Sequence, residues 1–353
     1  MAFYHYLNSY VREDLSRLTK AEKAAEGILG PAKAKWIAEG LLRLRQQIRD
    51  SELGKRQEKN LVIGSWNIRA CDEGTPRRDE SYHYIAEIID HFDICALQEV
   101  KDDLKPLWRL KEMLGPNWNF FVTDPTAGNL GNRERLAFFW NENKVLFRNL
   151  VGEVVLAQND LIDGERQFAR TPFLASFQSG WFKFTLASVH IIFGGSRRLD
   201  KAQRAAEVKK LAEICAKRAK KDDQFYAMIG DMNIETTDDD IMAGLTKNGL
   251  EAPAFGGTNL KLNRAFDQIA FTTKPRKARM VGHGVVDWRH SVYRPEDADI
   301  YRPIAEADRD KPYRNWTRSY ENSFMSFEMS DHLPIWVEVE TDYSDDYLRR
   351  FTK

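Results

Sequence analysis

The stretch Met228-Ile229-Gly230-Asp231-Met232-Asn233 is an apolar run that ends in an acid and an amide, and four other stretches share this pattern. They are Ile63-Gly64-Ser65-Trp66-Asn67, Cys95-Ala96-Leu97-Gln98-Glu99, Ala187-Ser188-Val189-His190 and Ser330-Asp331-His332-Leu333-Pro334. The apolar halves are typical of buried strands, and each polar end lies where the chain leaves a sheet. Carboxylates, an asparagine and two histidines at one sheet edge predict a hard-cation site beside acid/base groups, which suits phosphoester hydrolysis.

The composition of the 353 residues allows a large core and excludes a globally basic protein. Hydrophobic residues make up 42% of the chain and include nine tryptophans and twenty phenylalanines. Lysines and arginines number 53, as do aspartates and glutamates, so the formal net charge is zero. A protein that coats nucleic acid by overall charge is therefore excluded, and any contact with nucleic acid must come from local patches.

Three cysteines and the absence of a signal-like segment favour a reducing compartment. Cys71, Cys95 and Cys215 are an odd number without metal-type spacing. We expect Cys95 and Cys215 to pack in the core, whereas Cys71 is either a loop thiol or a reactive group near the site. The N-terminus lacks a basic segment followed by an apolar one, and no apolar run reaches membrane-spanning length. We expect a cytoplasmic protein without stable membrane insertion.

Residues 1–56 differ from the rest, because Ala, Leu, Glu, Lys and Arg dominate and apolar residues recur at helical spacing. Gly30-Pro31 interrupts the pattern and predicts two helices joined by a tight break. This N-terminal helical extension, with a linker at 54–60, either packs on the following domain or mediates self-association or binding of a protein partner. We expect a catalytic domain at 57–342 and a C-terminal tail at 343–353.

Strands and helices interleave from residue 61 onward. Predicted strands lie at 61–66, 93–97, 120–122, 136–140, 145–147, 173–177, 182–189, 225–229, 266–271 and 335–339, and predicted helices at 82–92, 101–114 and 200–221. Many strands with a few covering helices predict an α/β sandwich of two sheets with helices outside. An aromatic and arginine-rich insertion at about 283–325 is predicted to be a long loop, which in a compact domain is either functional or disordered.

The five stretches together resemble the endonuclease/exonuclease/phosphatase superfamily, and most closely its deoxyribonuclease I-like branch. The resemblance covers Leu61 to about Val339, and it rests on motifs that agree in identity, order and strand context. It implies a four-layer α/β sandwich, in which two packed mixed sheets are flanked by helices. It also implies an active site at one end of the two sheets.

The resemblance implies a Mg²⁺ site, with Mn²⁺ as a substitute. Glu99 resembles the family's main metal ligand, and Asn67 resembles the amide that supports this metal. Asp331 takes the place of a metal-site or orienting carboxylate. Oxygen ligands of this kind suit Mg²⁺, which is usually held by one or two carboxylates together with substrate phosphate.

The resemblance also assigns acid/base and phosphate-binding roles. His332 is the implied general acid/base with Asp267 as its carboxylate partner, and a histidine suits this task because its ordinary pKa lies near working pH. Asp231 and Asn233 resemble the pair that positions attacking water and the scissile phosphate. The remaining residues are His190, which resembles the histidine that donates to a phosphate oxygen, Glu134, its implied partner, and Arg170, the implied phosphate-gripping arginine.

Two positions depart from the branch. Where its members carry an arginine and a tyrosine that work in the DNA minor groove, this chain has Lys101 and Asn132. Lysine keeps the charge but loses the planar fork, and asparagine loses the stacking ring. The arginines and aromatic residues of the insertion at 283–325 are either a replacement surface for nucleic acid or part of an ordinary surface loop.

These observations predict a Mg²⁺-dependent phosphodiester hydrolase, more specifically a nuclease in which water attacks phosphorus in line. An alternative is a phosphatase or phosphodiesterase that acts on phosphoinositides or small phosphorylated molecules, since one fold hosts all of these activities. An alternative of another class is a noncatalytic scaffold that uses the N-terminal helices.

Overall fold

Two six-stranded sheets form the centre of the protein. The computed structural model describes residues 2–20, 22–23, 27–71, 76–126, 133–194, 198–236, 240–309 and 311–352. In chain order the strands are β1 (Leu61–Cys71), β2 (Ile94–Val100), β3 (Trp118–Val122), β4 (Arg135–Asn141), β5 (Leu146–Glu153), β6 (Phe173–Ser179), β7 (Phe182–His190), β8 (Phe225–Asp231), β9 (Leu250–Glu251), β10 (Asp267–Thr272), β11 (Met280–Val285) and β12 (Ile335–Val339).

Both sheets are mixed. The first has the order β11-β12-β1-β2-β4-β3 and the second the order β5-β6-β7-β8-β10-β9. Only β1 with β2, and β7 with β8, pair in parallel; the other neighbouring strands are antiparallel. Two packed mixed sheets flanked by helices confirm the predicted α/β sandwich.

The central strands are apolar on both faces because one face meets the other sheet and the opposite face meets helices. In β1, Leu61 and Ile63 lie in the core between the sheets, whereas Val62 and Trp66 lie in the core beneath the helices. This division follows from strand geometry, since successive side chains point to opposite faces. Burying one such side chain contributes roughly 1.5–3 kcal/mol, so the central strands are held strongly on both sides.

The helices cover the outer faces of the two sheets and form part of the insertion. They are α1 (Tyr6–Val11), α2 (Gly30–Asp50), α3 (Asp79–Asp90), α4 (Lys105–Leu114), α5 (Arg198–Asp222), α6 (Asp240–Thr246), α7 (Ala298–Arg309), α8 (Trp316–Ser319), α9 (Met325–Glu328) and α10 (Ser344–Leu348). Within the described part of the chain, no helix is long and apolar enough to span a membrane.

The N-terminal extension packs on the first sheet's helical layer. Its long helix α2 begins at Gly30 with a proline in the first turn, a position that suits proline because the missing N–H has no helical partner there. The apolar side of α2, with Ile37, Leu41 and Leu44, belongs to the same buried cluster as α3. This side is therefore used within the chain, and self-association through it is not supported.

The insertion at 283–325 is not the polar loop that the sequence predicted. It contains α7, α8 and a single π-helical turn at Tyr320–Phe324. Tyr293, Tyr301 and Tyr320 are almost fully buried and join the cluster that contains α2. Of the two alternatives for the insertion, a nucleic-acid surface does not apply to these three rings, because they pack against one another and against Trp36 and Tyr84.

Candidate active site

One end of the two sheets collects the polar residues that the sequence singled out. Register places His190 of β7 opposite Asp231 of β8, and Asp231 opposite Asp267 of β10. Gly230 makes the first pairing possible, because a Cβ at this position would lie 2.2 Å from the carbonyl oxygen of Val189.

Asp231 lies at the junction of the two sheets. Its Oδ2 accepts a hydrogen bond from Asn67 Nδ2 at 3.1 Å. The same oxygen lies 3.5 Å from His190 Nε2 and 3.7 Å from His332 Nε2. Burial, reinforced by the charge of Asp267, raises the pKa of the Asp231 carboxyl, although the two neighbouring histidines oppose this shift.

His332 is held by a buried carboxylate. Its Nδ1 lies 2.8 Å from Asp267 Oδ2, and the same oxygen accepts a hydrogen bond from the Thr258 hydroxyl at 2.7 Å. Burial alone lowers the pKa of His332, but the charges of Asp267 and Asp231 outweigh burial and raise this pKa well above its ordinary value. The imidazolium form is therefore stabilised, with Nε2 on the side of Asp231.

His190 belongs to a second histidine–carboxylate pair with different surroundings. Its Nδ1 lies 2.7 Å from Glu134 Oε2. The Glu134 carboxylate also lies 3.0 Å from Arg170 Nε and 3.8 Å from Lys101 Nζ. Lys101, the lysine that replaces the branch's arginine, is thus buried beside Glu134; Asn132 lies outside the described residues.

Glu99 and Asn67 form the part of the site that suits a metal ion. Asn67 Nδ2 donates to Glu99 Oε1 at 2.8 Å, and the backbone N–H of Ala70 donates to Glu99 Oε2 at 2.8 Å. Burial opposes ionisation of Glu99, but the charge of His190 and these hydrogen bonds hold its pKa below the ordinary value. Glu99 also has a left-handed backbone with φ of 59°, a conformation that concentrates at functional sites.

The donor set fits a hard divalent cation. Oxygens of Glu99 and Asp231 both lie within hydrogen-bond distance of the single Asn67 amide nitrogen, so the two carboxylates approach the same side of the site. The Asn67 amide oxygen accepts a hydrogen bond from the Arg69 N–H at 2.9 Å, which fixes the orientation of this amide. Asp231, Asp267 and His332 also form a group whose ligand atoms lie within 4.8 Å of one another.

Asp331 is placed differently from the other predicted metal residues. Its side chain is half exposed, and its Oδ1 lies 3.9 Å from Arg69 Nε. Its backbone oxygen accepts a hydrogen bond from the Leu260 N–H at 3.1 Å. Asp331 therefore lies at the rim of the site, beside Arg69, rather than in direct contact with Glu99.

The family comparison agrees with this geometry. The model of the Endonuclease/Exonuclease/phosphatase family matches residues 64–332. The chain belongs to this family. Its members are hydrolytic phosphoesterases, both nucleases and phosphatases, and they generally depend on divalent metal ions.

Individual relatives are similar at low identity. The chain is 28% identical to deoxyribonuclease-1 of Equus caballus over 124 residues, which cover 34% of this chain and 43% of that relative. The Bacteroides thetaiotaomicron mannosyl-6-phosphatase superimposes with a TM-score of 0.52 at 17% identity, covering 79% of this chain and 99% of the other. D. rerio TDP2 complexed with a single-strand DNA product superimposes with a TM-score of 0.52 at 13% identity, covering 80% of this chain and 100% of the other. Both solved structures therefore have the same fold as this chain.

Asn233 and Arg170 are fixed by hydrogen bonds within the site. The Asn233 N–H donates to Asp231 Oδ1 at 2.9 Å, and its Nδ2 donates to the Ile191 carbonyl at 2.7 Å. Arg170 is mostly buried, and its Nη2 donates to Glu134 Oε1 at 3.4 Å. Arg170 therefore contacts Glu134, the predicted partner of His190, and orients the Glu134 carboxylate.

Two hydroxyl residues in the site were missed by sequence reasoning. Thr258 makes two hydrogen bonds with Asp267. Its hydroxyl donates to the Asp267 carboxylate, and its Oγ1 accepts from the Asp267 N–H at 3.1 Å. Ser330 Oγ accepts from the His332 N–H at 3.0 Å and donates to the Asn67 carbonyl at 2.6 Å. Ser330 could have been predicted, because it begins the Ser330–Pro334 stretch that contains His332. Thr258 could not, because it lies in a loop without a motif.

Proposed function

We propose that this protein is a Mg²⁺-dependent phosphodiester hydrolase that acts as a nuclease. The observation that carries the proposal is the position of Asp231 between two histidine–carboxylate pairs, with Glu99 and Asn67 on the same side. This arrangement provides a proton acceptor, hydrogen-bond donors for phosphate oxygens and a hard-oxygen site within one buried cluster.

The metal-binding role falls to Glu99 and Asn67, with Asp331 as a further or orienting carboxylate at the rim. Mg²⁺ held there, or Mn²⁺ in its place, supplies Lewis acidity that offsets negative charge on the phosphate oxygens. The lowered pKa of Glu99 supports this role, because the carboxylate stays ionised at neutral pH without a bound cation.

The chain's own residues then divide the acid/base work. Asp231 and Asn233 orient a water molecule in line with the scissile bond, and the Asp231–His332 side of the site takes up its proton. Asp267 holds the His332 ring through Nδ1 so that Nε2 stays available. His190, oriented by Glu134, donates a hydrogen bond to a phosphate oxygen, and Arg170 contributes positive charge on the same side.

A variant of Glu99 tests the metal-binding role. Glu99→Gln removes one ligand charge while keeping the size of the side chain, so Mg²⁺-supported turnover should fall by orders of magnitude. Mn²⁺ binding, measured by electron paramagnetic resonance, should weaken in parallel. Glu112→Gln, on the outer helix α4, is the matched control and should retain both properties. Full wild-type activity in EDTA would contradict the proposal.

A substrate panel tests the nuclease assignment. The purified protein with Mg²⁺ is compared on supercoiled DNA, single-stranded DNA, RNA, a phosphoinositide, a phosphosugar and a generic phosphate bis-ester. The zero net charge favours the alternative of a small or lipid-headgroup phosphoester, because it provides no long-range attraction for a polyanion. Turnover of only the phosphoinositide or phosphosugar would establish that alternative. A noncatalytic scaffold would turn over none of them.

The cytoplasm is the compartment that we propose. All three cysteines are buried thiols, which fits a protein that folds in a reducing environment. The Cys71 thiol is therefore a packed side chain rather than an exposed reactive group.

A further inference from the structure

A cleft of about 650 Å³ opens directly beside His332. One wall is the loop with Leu260 and Phe266, which precedes β10. The opposite wall is the insertion, which contributes Asn322 and Met325. Arg289 joins the two walls, because its guanidinium donates a hydrogen bond to the Leu260 carbonyl. Pockets that hold small organic ligands span roughly 300–1,000 Å³, so this cleft has room for one nucleotide-sized group.

The insertion wall is held in place by the N-terminal helix α2. Trp36 Nε1 donates to the Tyr301 hydroxyl at 2.9 Å, and their rings meet edge to face at 6.1 Å. Gln47 Nε2 donates to the Asp287 carbonyl at 2.7 Å. These contacts join segments more than 200 residues apart. They fix the shape of the cleft before a ligand binds, so binding does not have to order this wall.

The inner surface of the cleft offers a flat apolar face beside the catalytic histidine. The half-buried Phe266 ring lies 5.7 Å from the His332 ring and 6.4 Å from Phe193, which is 40% exposed. Met325 adds an apolar surface on the opposite wall. An aromatic ring next to a reacting phosphate provides a stacking surface that suits a planar base.

The mouth of the cleft carries polar groups and charges of both signs. Lys261 is exposed, whereas the Arg289 guanidinium is paired with Asp287, with Nη2 to Oδ2 at 2.6 Å. Glu321 and Asp331 add exposed carboxylates. Asn322 provides an amide whose oxygen is suited to the edge of a base. A negatively charged sugar-phosphate chain would therefore pass the mouth on the Lys261 side while one base enters.

We propose that this cleft binds the nucleoside attached to the scissile phosphate, with its base unstacked from its neighbours. The inference rests on the proposed nuclease function and names the form of its substrate. A base inside a duplex is stacked and paired, so entry would require extrusion at a cost of a few kcal/mol. The protein therefore prefers single strands, frayed ends or unpaired nucleotides over continuous duplex.

The test compares esters with and without a nucleoside. Thymidine 3′- and 5′-(4-nitrophenyl) phosphates carry a base, whereas methyl 4-nitrophenyl phosphate does not. Asn322→Trp narrows the cleft from an exposed position and should raise KM for the preferred thymidine ester by about tenfold, the range expected for loss of one stacked base. Hydrolysis of the methyl ester should stay within twofold of wild type. Thr317→Trp, exposed on the same insertion outside the cleft, should change neither.

A second variant and a strand comparison complete the test. Phe266→Leu keeps an apolar side chain but removes the ring, and it should also raise KM for the thymidine ester; melting curves confirm that it folds. Single-stranded oligonucleotides should be cleaved at least tenfold faster than the same sequence in a duplex. Equal effects of Asn322→Trp on both esters, or equal cleavage of both strand forms, would overturn the cleft assignment and leave the nuclease proposal standing. Wild-type hydrolysis of phosphosugars alone would overturn both.

Discussion

Two histidine–carboxylate pairs approach Asp231 from opposite sides, and they differ in what surrounds each carboxylate. Asp267 holds His332 at 2.8 Å, and Glu134 lies 2.7 Å from His190. Both histidines turn Nε2 towards Asp231, at 3.7 and 3.5 Å. The local arrangement is therefore nearly the same on the two sides.

The difference lies in the charges behind the pairs. Glu134 is shared by His190, Arg170 and Lys101, so three positive or ionisable groups divide one carboxylate. Asp267 is supported by a threonine hydroxyl, and within the described ranges no lysine or arginine lies at salt-bridge distance from it. This difference supports the proposed division of roles: proton transfer at the pair whose carboxylate acts on histidine alone, and charge stabilisation at the pair whose carboxylate is shared by cations.

The largest effect is expected at the residue that both pairs approach. Asp231→Asn removes the buried carboxylate that faces both Nε2 atoms and that we propose to orient water, so kcat should fall by about 10³-fold. Steady-state kinetics on the bis-ester measure this loss, and Asp223→Asn at an exposed site is the control. A smaller loss of kcat than in either histidine variant would show that Asp231 is not the residue on which both pairs act.

Replacement of the two histidines separates proton transfer from charge stabilisation. His332→Ala should lower kcat by about 10²-fold or more, which is the usual contribution of a positioned acid or base. Because the proposed role of His332 is to carry a proton, added imidazole should restore part of the activity. His190→Ala should lower activity without such rescue, since its proposed role is a hydrogen bond fixed in place. Equal rescue of both variants would show that the two pairs do the same work.

The carboxylates behind the histidines should differ in their effect on the pH profile. Asp267→Asn removes a charge that raises the pKa of His332, so this pKa should fall and the corresponding limb of the kcat profile should move to lower pH. Glu134→Gln should reduce kcat but leave this limb in place, because Glu134 contacts the other histidine. Profiles of kcat from pH 5 to 10 measure both. An unmoved limb in Asp267→Asn would contradict the assignment of His332.

A buried carboxyl outside the site provides the smallest effect on activity. Glu328 accepts hydrogen bonds from the Ser81 hydroxyl and the Arg78 N–H, and burial, aided by Glu80, raises its pKa to about 7. Its folded pKa lies above the unfolded value, so the stability that it adds is full at low pH and is lost as pH rises through about 7. Glu207 shifts in the same direction, also to about 7.

Glu328→Gln should remove the contribution of this residue while leaving kcat unchanged. The free energy of unfolding should then decline less between pH 5 and 8 than in wild type, by on the order of 1–3 kcal/mol. Urea unfolding at both pH values measures the difference. An unchanged pH dependence would show that Glu328 is not neutral in the folded protein. Burial would then not raise the pKa of this carboxyl, in contrast to the neighbouring charges that raise the pKa of His332.

Most polar residues that the sequence singled out lie together at one end of the sheets, and two features around them were not predicted. Position along the chain does not reveal that the Lys101 side chain turns inward to Glu134. The insertion was expected to be a loop, because Pro303 lies inside α7 and a π-helical turn follows α8, and both obscure the helical period. The burial of its aromatic rings could not be predicted, because Trp36 of α2 and Tyr84 of α3, which pack against Tyr301 and Tyr293, lie more than 200 residues earlier in the chain.

The sequence by itself determined the family, the two-sheet sandwich and the polar residues that end its central strands. These features are local, since strand alternation and short motifs are written in consecutive residues. Only the tertiary structure decided that Glu134 is shared by Arg170 and Lys101, and that the insertion forms a cleft wall beside His332. The physical reason is that these contacts join segments distant along the chain, and their energies depend on burial and on neighbouring charges that exist only after the sheets have packed.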